Sequence, residues 1–303
     1  MTRRFSLATI DVAMQTPLRP LRPLPEMNRP LVIVGHSAAM QRIAEEVSAA
    51  SESNVTVLIA GESGVGRRLI ARTIHDRSAR HAGPFVSVNC ICLPDARLES
   101  ELFGGVPDGN DSRGLQTVRG RLEAADGGTV VLHDVGYLSW RLQSRLLRYT
   151  EARELHRLGS PRPMSSDVRL MAITNRRLVH AVTNQAFRDD LFYRMNVIHI
   201  EVPPLRERTE DVSALLRYFL CVHAARLGRP MLDLTADALN CLTEYDWPGN
   251  VRELKEVAER LVQTHTSDRV AVDELPAAIV RRSMSRTVAR WGASAPAPAV
   301  VPH

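Results

Sequence analysis

The fold is decided by the stretch Val55-Thr56-Val57-Leu58-Ile59-Ala60-Gly61-Glu62-Ser63-Gly64-Val65-Gly66-Arg67-Arg68. Its first six residues form a short β-branched run, which is typical of a buried parallel strand. A glycine-rich loop follows, and helical spacing then continues to residue 80. In this context backbone N–H groups and a helix N-terminus can face phosphate oxygens. The alternative is a glycine-rich turn without a ligand, and the complete strand–loop–helix order favours the phosphate-binding loop.

Strands and helices alternate on both sides of this loop. Further short apolar strands are predicted at residues 85–88, 129–132, 168–174 and 197–202, with helices from residue 37, at 68–80 and at 142–151. Five such strands alternating with helices predict an α/β fold, with a parallel sheet covered by helices on both faces. After Pro203-Pro204 only helical spacing remains, at residues 211–227, 235–245 and 251–264, which predicts a smaller helical domain.

The predicted domain organisation follows from these patterns. Prolines are dense in residues 1–30, which we predict to be a disordered tail. Residues 31–205 form the α/β nucleotide-binding domain and residues 206–281 the helical domain. Residues 282–303 become rich in alanine and proline, and are predicted to be a second disordered tail.

Composition excludes several classes of protein. Of the 303 residues 44% are hydrophobic and 24% charged, as in an ordinary globular protein, and no apolar run suits a membrane helix. The net charge of +5 favours a solvated surface over a nucleic-acid surface. The four cysteines form no C-x-x-C pair, so we expect buried free thiols and a cytoplasmic protein rather than zinc or disulfides.

A second nucleotide-binding motif is expected where a strand ends in two acids. Here the strand Thr129-Val130-Val131-Leu132 ends in His133-Asp134 instead of Asp-Glu. The first acid would hold Mg²⁺ through its water shell, and a neutral imidazole replaces it poorly. Asp134 keeps the second charge on a side chain that is one methylene shorter. Arg67 likewise stands where the loop normally has lysine, so the Mg²⁺ site is weakened and no metal ligands are assigned.

Longer motifs elsewhere carry a family resemblance. They are Glu101-Leu102-Phe103-Gly104, Gly127-Gly128-Thr129, Phe187-Arg188-Asp189-Asp190-Leu191-Phe192-Tyr193-Arg194-Met195-Asn196-Val197, Pro203-Pro204-Leu205-Arg206-Glu207-Arg208 and Trp247-Pro248-Gly249-Asn250-Val251-Arg252-Glu253-Leu254. From about residue 34 to about residue 281 the chain resembles the sigma-54 interaction domain of bacterial enhancer-binding regulators. The resemblance implies an AAA+ P-loop NTPase with a helical lid, ATP or ADP and Mg²⁺ as ligands, and ATP hydrolysis. It also implies a ring of identical or related AAA+ subunits that remodels RNA polymerase containing sigma-54.

The resemblance also implies roles for single residues. Asn89 corresponds to the switch asparagine, Asn175 to the first sensor and Arg252 to the second sensor on the lid. Arg188 and Arg194 correspond to arginine fingers that reach a neighbouring subunit; the alternative for each arginine is a surface ion pair. The predicted catalytic residues are Asp134, Asn89, Asn175, Arg188 and Arg194. The predicted nucleotide-binding residues are Gly61, Glu62, Ser63, Gly64, Val65, Gly66, Arg67, Arg68, His133 and Arg252.

Two departures concern macromolecular partners. The family's sigma-54 contact loop reads Gly-Ala-Phe-Thr-Gly-Ala, whereas residues 105–114 here read GVPDGNDSRG and lack the aromatic and threonine residues. This argues against direct contact with sigma-54. No helix-turn-helix fits after Arg281, so we expect no sequence-specific DNA binding from this chain.

Several functions remain open. Arg67, His133 and the altered loop favour an ATP-binding module with impaired hydrolysis that acts through oligomerisation, with itself or with an intact relative. Retention of Asn89, Asn175 and the three arginines at 188, 194 and 252 favours an active ATPase activator instead. A third possibility is an inhibitory pseudo-ATPase that no longer binds nucleotide, and a weaker one is a repurposed scaffold.

Overall fold

The computed structural model describes residues 33–105, 118–160, 162–175, 178–265 and 269–282. Both predicted tails lie outside this part of the chain, apart from Arg282. Most of the altered contact loop, residues 106–117, also lies outside it.

The described part contains short strands and ten named helices. The strands are β1 Val57–Gly61, β2 Phe85–Asn89, β3 Thr129–His133, β4 Glu154–His156, β5 Pro163–Ser165, β6 Arg169–Thr174, β7 Ile198–Val202, β8 Asp233–Leu234 and β9 Arg269–Val270. The helices are α1 Ala38–Glu52, α2 Arg67–Arg77, α3 Asp95–Phe103, α4 Arg121–Ala124, α5 Trp140–Ala152, α6 Leu178–Thr183, α7 Asp189–Met195, α8 Glu210–Leu227, α9 Ala236–Glu244 and α10 Asn250–Thr264.

The central sheet has the order β2-β3-β6-β1-β7, and all neighbouring strands are parallel. Its five strands confirm the sequence prediction. Alternate residues of β3 enter different cores: Val130 and Leu132 pack on one face of the sheet, and Val131 packs on the other. Helices α1 and α2 contribute to the second core, whereas α3, α5 and α7 contribute to the first. The sheet is therefore covered on both faces, and its central strands β1, β3 and β6 are buried along most of their length, whereas the edge strands β2 and β7 keep exposed residues.

Some elements differ from the prediction. Helix α2 ends at Arg77 rather than at residue 80, because the side chain and backbone N–H of Ser78 both turn back to the carbonyl of His75. Helices α3, α6 and α7 and the antiparallel pair β4–β5 were not predicted. These elements are short, and a few residues do not establish a period.

The helical part packs around its own core. Trp247 is fully buried there, against residues of α8, α9 and α10. Our expectation that strands end after Pro203-Pro204 was wrong in one detail, since β8 and β9 form a two-residue parallel pair. A pair this short is made by tertiary contact and leaves no alternation in the sequence.

Two further expectations can be compared with the structure. Among the described helices, none is both long and apolar enough to cross a lipid bilayer. The four cysteines are free, as expected, but only Cys90 is buried; Cys92 is exposed, and Cys221 and Cys241 are half-buried.

Candidate nucleotide site

The glycine-rich loop connects β1 to α2 through three glycines with positive φ: Gly61 at 144°, Gly64 at 84° and Gly66 at 107°. A Cβ at Gly64 would lie 2.2 Å from the carbonyl oxygen of Gly249, whereas a Cβ at Gly66 would meet nothing within 4 Å. Gly64 therefore permits close approach of the helical domain. Gly66 leaves open space at the N-terminus of α2, where a phosphate group would bind.

The start of α10 rests directly on this loop. Arg252 donates from Nη1 to Ser63 Oγ at 3.1 Å and from its backbone N–H to the Gly64 carbonyl at 3.2 Å. Asn250 is completely buried; its Nδ2 donates to the Ser63 carbonyl at 3.0 Å, and its Oδ1 accepts the N–H of Leu205 at 2.8 Å. The lid and the phosphate loop thus form one hydrogen-bonded unit.

Glu62 strengthens the same connection. Arg206 donates to its two carboxylate oxygens at 2.9 and 2.6 Å, and Asn250 donates to Oε2 at 3.1 Å. The Arg206 hydrogen bonds first, and the Asn250 hydrogen bond second, lower the pKa of Glu62 to about 2. The carboxylate is therefore ionised and engaged with the lid rather than free to bind a cation.

Arg67 and Asp134 lie close enough beside the loop for their charges to interact. Arg67 Nη1 and Asp134 Oδ1 are both buried, and neither has a hydrogen-bond partner among the described residues. Burial lowers the pKa of Arg67; the nearby charge of Asp134 opposes this effect, and that of Arg252 reinforces it. A buried donor and a buried acceptor without partners are costly unless a ligand or water satisfies them.

His133 ends β3 beside these groups. Its Nε2 lies 2.6 Å from Ser87 Oγ on β2. Burial lowers the pKa of the imidazole, and the charges of Arg68 and Arg67 lower it further, so His133 is neutral at pH 7. A neutral ring hydrogen-bonded to a hydroxyl supplies no negative charge for a metal ion.

These residues fit a nucleotide and do not fit Mg²⁺. Mg²⁺ requires an octahedral set of oxygen ligands. In nucleotide sites one or two carboxylates supply these oxygens together with water and the phosphates, and here His133 stands in place of the first carboxylate. By contrast, the open space at Gly66 and the unpartnered Arg67 Nη1 suit a phosphate oxygen.

Asn89, Asn175 and Asp134 are placed at the same edge of the sheet as the loop. Asn89 is the last residue of β2, Asp134 follows β3 and Asn175 follows β6; these strands are parallel to β1. Asn89 Oδ1 accepts the N–H of Ile91 at 3.0 Å, so its side chain bonds within its own turn. The exposed Asn175 immediately follows β6, the strand that pairs with β1.

Arg188 and Arg194 do not join this cluster. Arg188 forms two hydrogen bonds with Asp190, at 3.0 and 2.8 Å, and stacks 5.2 Å from the ring centroid of Trp140. The Arg194 carbonyl accepts a hydrogen bond from Thr56, which immediately precedes β1, whereas the phosphate loop follows β1. Five strand residues separate the two ends by about 16 Å. The Arg194 backbone therefore lies at the edge opposite its own loop.

Comparison with known proteins agrees with this geometry. The family model of the sigma-54 interaction domain matches residues 33–201, and that of the AAA+ ATPase lid domain matches residues 206–291. The chain belongs to the sigma-54 interaction domain family. It consists of a sigma-54 interaction domain followed by an AAA+ lid domain, as the sequence motifs predicted.

Relatives of this sigma-54 interaction domain include the transcriptional regulatory protein ZraR of Klebsiella oxytoca, which is 44% identical over 250 residues, covering 82% of this chain and 56% of ZraR. The regulatory protein AtoC of Escherichia coli strain K12 is 43% identical over 245 residues, covering 80% of this chain and 53% of AtoC. The chain thus spans about half the length of these curated relatives.

Solved structures show the same fold. NtrX from Brucella abortus in complex with ADP superimposes with a TM-score of 0.75 at 34% identity, covering 82% of this chain and 55% of that one. NtrX in complex with ATP has a TM-score of 0.76 at 30% identity, covering 87% and 64%. The α/β sheet followed by a helical lid is therefore the AAA+ P-loop NTPase arrangement.

Sequence reasoning about this sigma-54 interaction domain missed several contacts. It assigned no role to Ser87, Arg206 or Asn250, although the last two lie in the quoted motifs. Their roles depend on which elements meet in three dimensions. The contact of Ser87 with His133 was predictable in part. If β2 and β3 pair in register, Asn89 lies beside His133, and Ser87, two residues before Asn89, points to the same face of the sheet.

Proposed function

We propose that this domain binds ATP or ADP with impaired hydrolysis, and that it acts by assembling with copies of itself or with an intact relative. The observation that supports this is the buried pair of unsatisfied atoms, Arg67 Nη1 and Asp134 Oδ1, beside the open space at Gly66. Such atoms suit a ligand with phosphate oxygens and an ordered water.

Nucleotide binding would use groups that the substitutions at positions 67, 133 and 134 leave in place, together with Arg67 itself. The backbone amides of residues 64–67 and the N-terminus of α2 would face the phosphates. Arg67 would replace lysine as a wider, forked donor, and Arg252 lies close enough to Ser63 to contribute from the lid. Closure of the lid on the loop would keep bulk water away from the phosphates.

Hydrolysis has different requirements. An attacking water must be polarised and held in line with the terminal phosphate, and a misplacement of about 1 Å can cost about a hundredfold in rate. Asp134 is one methylene shorter than the glutamate of the motif, and its backbone adopts the left-handed region with φ 56°. His133 adds no charge that would hold a cation near the reacting oxygens. Binding and turnover are therefore separable in this site.

Restoring the motif tests this proposal. The triple variant Arg67→Lys, His133→Asp and Asp134→Glu should release phosphate from Mg²⁺-ATP at least about tenfold faster than the unmodified chain, since it regains ligand, base and geometry. The matched control is Arg77→Lys, an exposed position at the end of the same helix. Measurable phosphate release by the unmodified chain, as fast as that of the triple variant, would refute impaired hydrolysis and favour the active ATPase. A folded triple variant that releases no phosphate would refute the assignment of the defect to these three positions.

Assembly is proposed from the surface around α7. Tyr193 is 73% exposed and Val197 57% exposed beside Arg194, on the side away from the chain's own loop. Exposed apolar side chains next to arginines suit a subunit interface. Arg188 and Arg194 would then act in a neighbour's site, as arginine fingers do.

The regulatory setting is sigma-54 transcription. The altered residues at positions 105–114 favour a subunit that influences a ring over one that itself contacts sigma-54. The partners proposed are therefore copies of this chain or related AAA+ subunits, and RNA polymerase with sigma-54 only through such a ring.

A further inference from the structure

The charges around the phosphate loop are unusual for a site that takes a metal–nucleotide complex. Arg67, Arg68 and Arg252 supply three positive charges, while Asp134 supplies the one negative charge that acts on Arg67 and His133. The negative charge of the ionised Glu62 carboxylate is balanced by its ion pair with Arg206. Among these interacting groups, three positive charges and one negative charge leave an excess of two positive charges around Arg67 and His133.

Arg68, the residue after Arg67, is a further position at which the loop departs from a metal-binding sequence. In the general phosphate-loop motif the residue after the lysine is Ser or Thr, whose hydroxyl binds Mg²⁺. Arg68 occupies that position here and cannot coordinate a cation. Its charge reaches His133, at the position where the second motif would also approach Mg²⁺. Both routes by which this fold holds the metal therefore end in nitrogen-bearing side chains.

A guanidinium can stabilise the negative charge of phosphate groups, as a divalent cation does. It remains positively charged and donates two parallel hydrogen bonds to phosphate oxygens. Arg67 Nη1 is buried without a hydrogen-bond partner among the described residues, and the charge of Asp134, whose Oδ1 is also buried and unpartnered, acts on this guanidinium. A nucleotide without bound Mg²⁺ carries more negative charge than the metal complex, and so matches the excess positive charge better.

We propose that this site binds nucleoside di- or triphosphates in the metal-free form, with the Arg67 guanidinium in place of the divalent cation between the phosphates and Asp134. The proposal rests on the nucleotide binding proposed above, and specifies which ionic form of the ligand is recognised. Divalent cations would then compete with the protein for the free nucleotide.

Calorimetric titration of the full 303-residue chain with ADP and with ATP tests the proposal, in EDTA and in excess Mg²⁺. Binding in EDTA should be at least as tight as in Mg²⁺. The variant Arg67→Gln should raise the Kd in EDTA at least about tenfold, because it loses charge-assisted hydrogen bonds. The matched control Arg72→Gln removes the same charge from the same helix, at a residue paired with Asp76, and should leave the Kd unchanged.

A second variant tests whether Arg67 stands in place of the divalent cation. Arg67→Lys with Arg68→Ser and His133→Asp should reverse the preference, so that Mg²⁺ tightens binding at least about tenfold. Circular dichroism and thermal unfolding establish that each variant is folded before its titration is compared.

The outcomes separate the two proposals. Binding that requires Mg²⁺ overturns the metal-free site and leaves nucleotide binding intact. Absence of binding by the folded chain, both in EDTA and in Mg²⁺, overturns both proposals. Equal losses in Arg67→Gln and Arg72→Gln would show that general positive charge, rather than the Arg67 guanidinium, holds the ligand.

Discussion

At the scale of single residues, Gly64 illustrates how the lid depends on the loop. A Cβ at this position would lie 2.2 Å from the Gly249 carbonyl oxygen. We expect Gly64→Ala to lower the free energy of unfolding by more than about 2 kcal/mol, because backbone strain and a backbone clash add together. Chemical denaturation measures the change. The control Gly127→Ala also has positive φ, at 73°, but meets nothing within 4 Å, so it carries the strain alone. Equal effects of the two substitutions would contradict a clash with the lid.

The carboxylate of Glu62 allows a pH-dependent prediction. Its pKa is lowered to about 2 in the folded protein, from 4.5, so the ionised form stabilises the folded state. This stabilisation is complete above about pH 4.5 and is lost as the pH falls towards 2. Glu62→Gln should therefore destabilise the protein at pH 7, and the difference should shrink in acid. The group is partly exposed, so the effect is small. In an Arg206→Ala background, Glu62→Gln should change the stability little further. A loss of stability as large as in the unmodified background would contradict stabilisation through Arg206.

At the scale of elements, Asp211 joins the beginnings of α1 and α8. The completely buried carboxylate accepts hydrogen bonds from the backbone N–H groups of His36 and Ser37 and from Ser37 Oγ, at 2.7 to 2.9 Å, and Arg208 lies 3.9 Å away. Asp211→Asn should lower the free energy of unfolding by about 3 kcal/mol or more, because buried donors lose their acceptor and Arg208 loses its counter-charge.

Thermal and denaturant unfolding measure this difference. The matched control is Asp237→Asn, an exposed acid in the first turn of α9, which should change stability by less than about 1 kcal/mol. Similar losses in the two variants would mean that Asp211 contributes as a helix-terminal charge, not as a buried connection.

At the scale of the whole molecule, the separation of the loop from α7 supports the proposed assembly of subunits. The Arg194 backbone lies at the edge of the sheet opposite its own loop, and in the proposed ring Arg194 would act in a neighbour's site. Adding this chain in equal amount to an intact relative should lower the relative's ATP turnover at least about twofold, because mixed rings contain sites without a functional partner.

Phosphate release at a constant concentration of the relative measures this effect. The control variant Tyr193→Asp places a charge on the 73% exposed side chain beside Arg194 and should abolish the inhibition. Unchanged turnover together with an unchanged particle size on mixing would exclude mixed rings.

The sequence alone determined the type of fold and the position of the glycine-rich loop between β1 and α2. The central strands were predictable because both of their faces are buried, which requires largely apolar runs such as residues 129–132. The edge strands β2 and β7 keep exposed residues, and β-branched and aromatic residues indicated them instead. The phosphate loop was predictable because a tight turn with positive φ requires glycine. The substitutions at Arg67 and His133 could likewise be read from their positions in known motifs.

Only the tertiary structure decided how these substitutions are connected. The bonds from His133 to Ser87, from Glu62 to Arg206 and from Asn250 to Ser63 join residues far apart in the chain, and their formation depends on strand register and lid docking. The interaction between the charges of Arg67 and Asp134 has the same origin. Local sequence sets conformation and periodicity, whereas burial, desolvation and the pairing of charges are properties of the packed molecule.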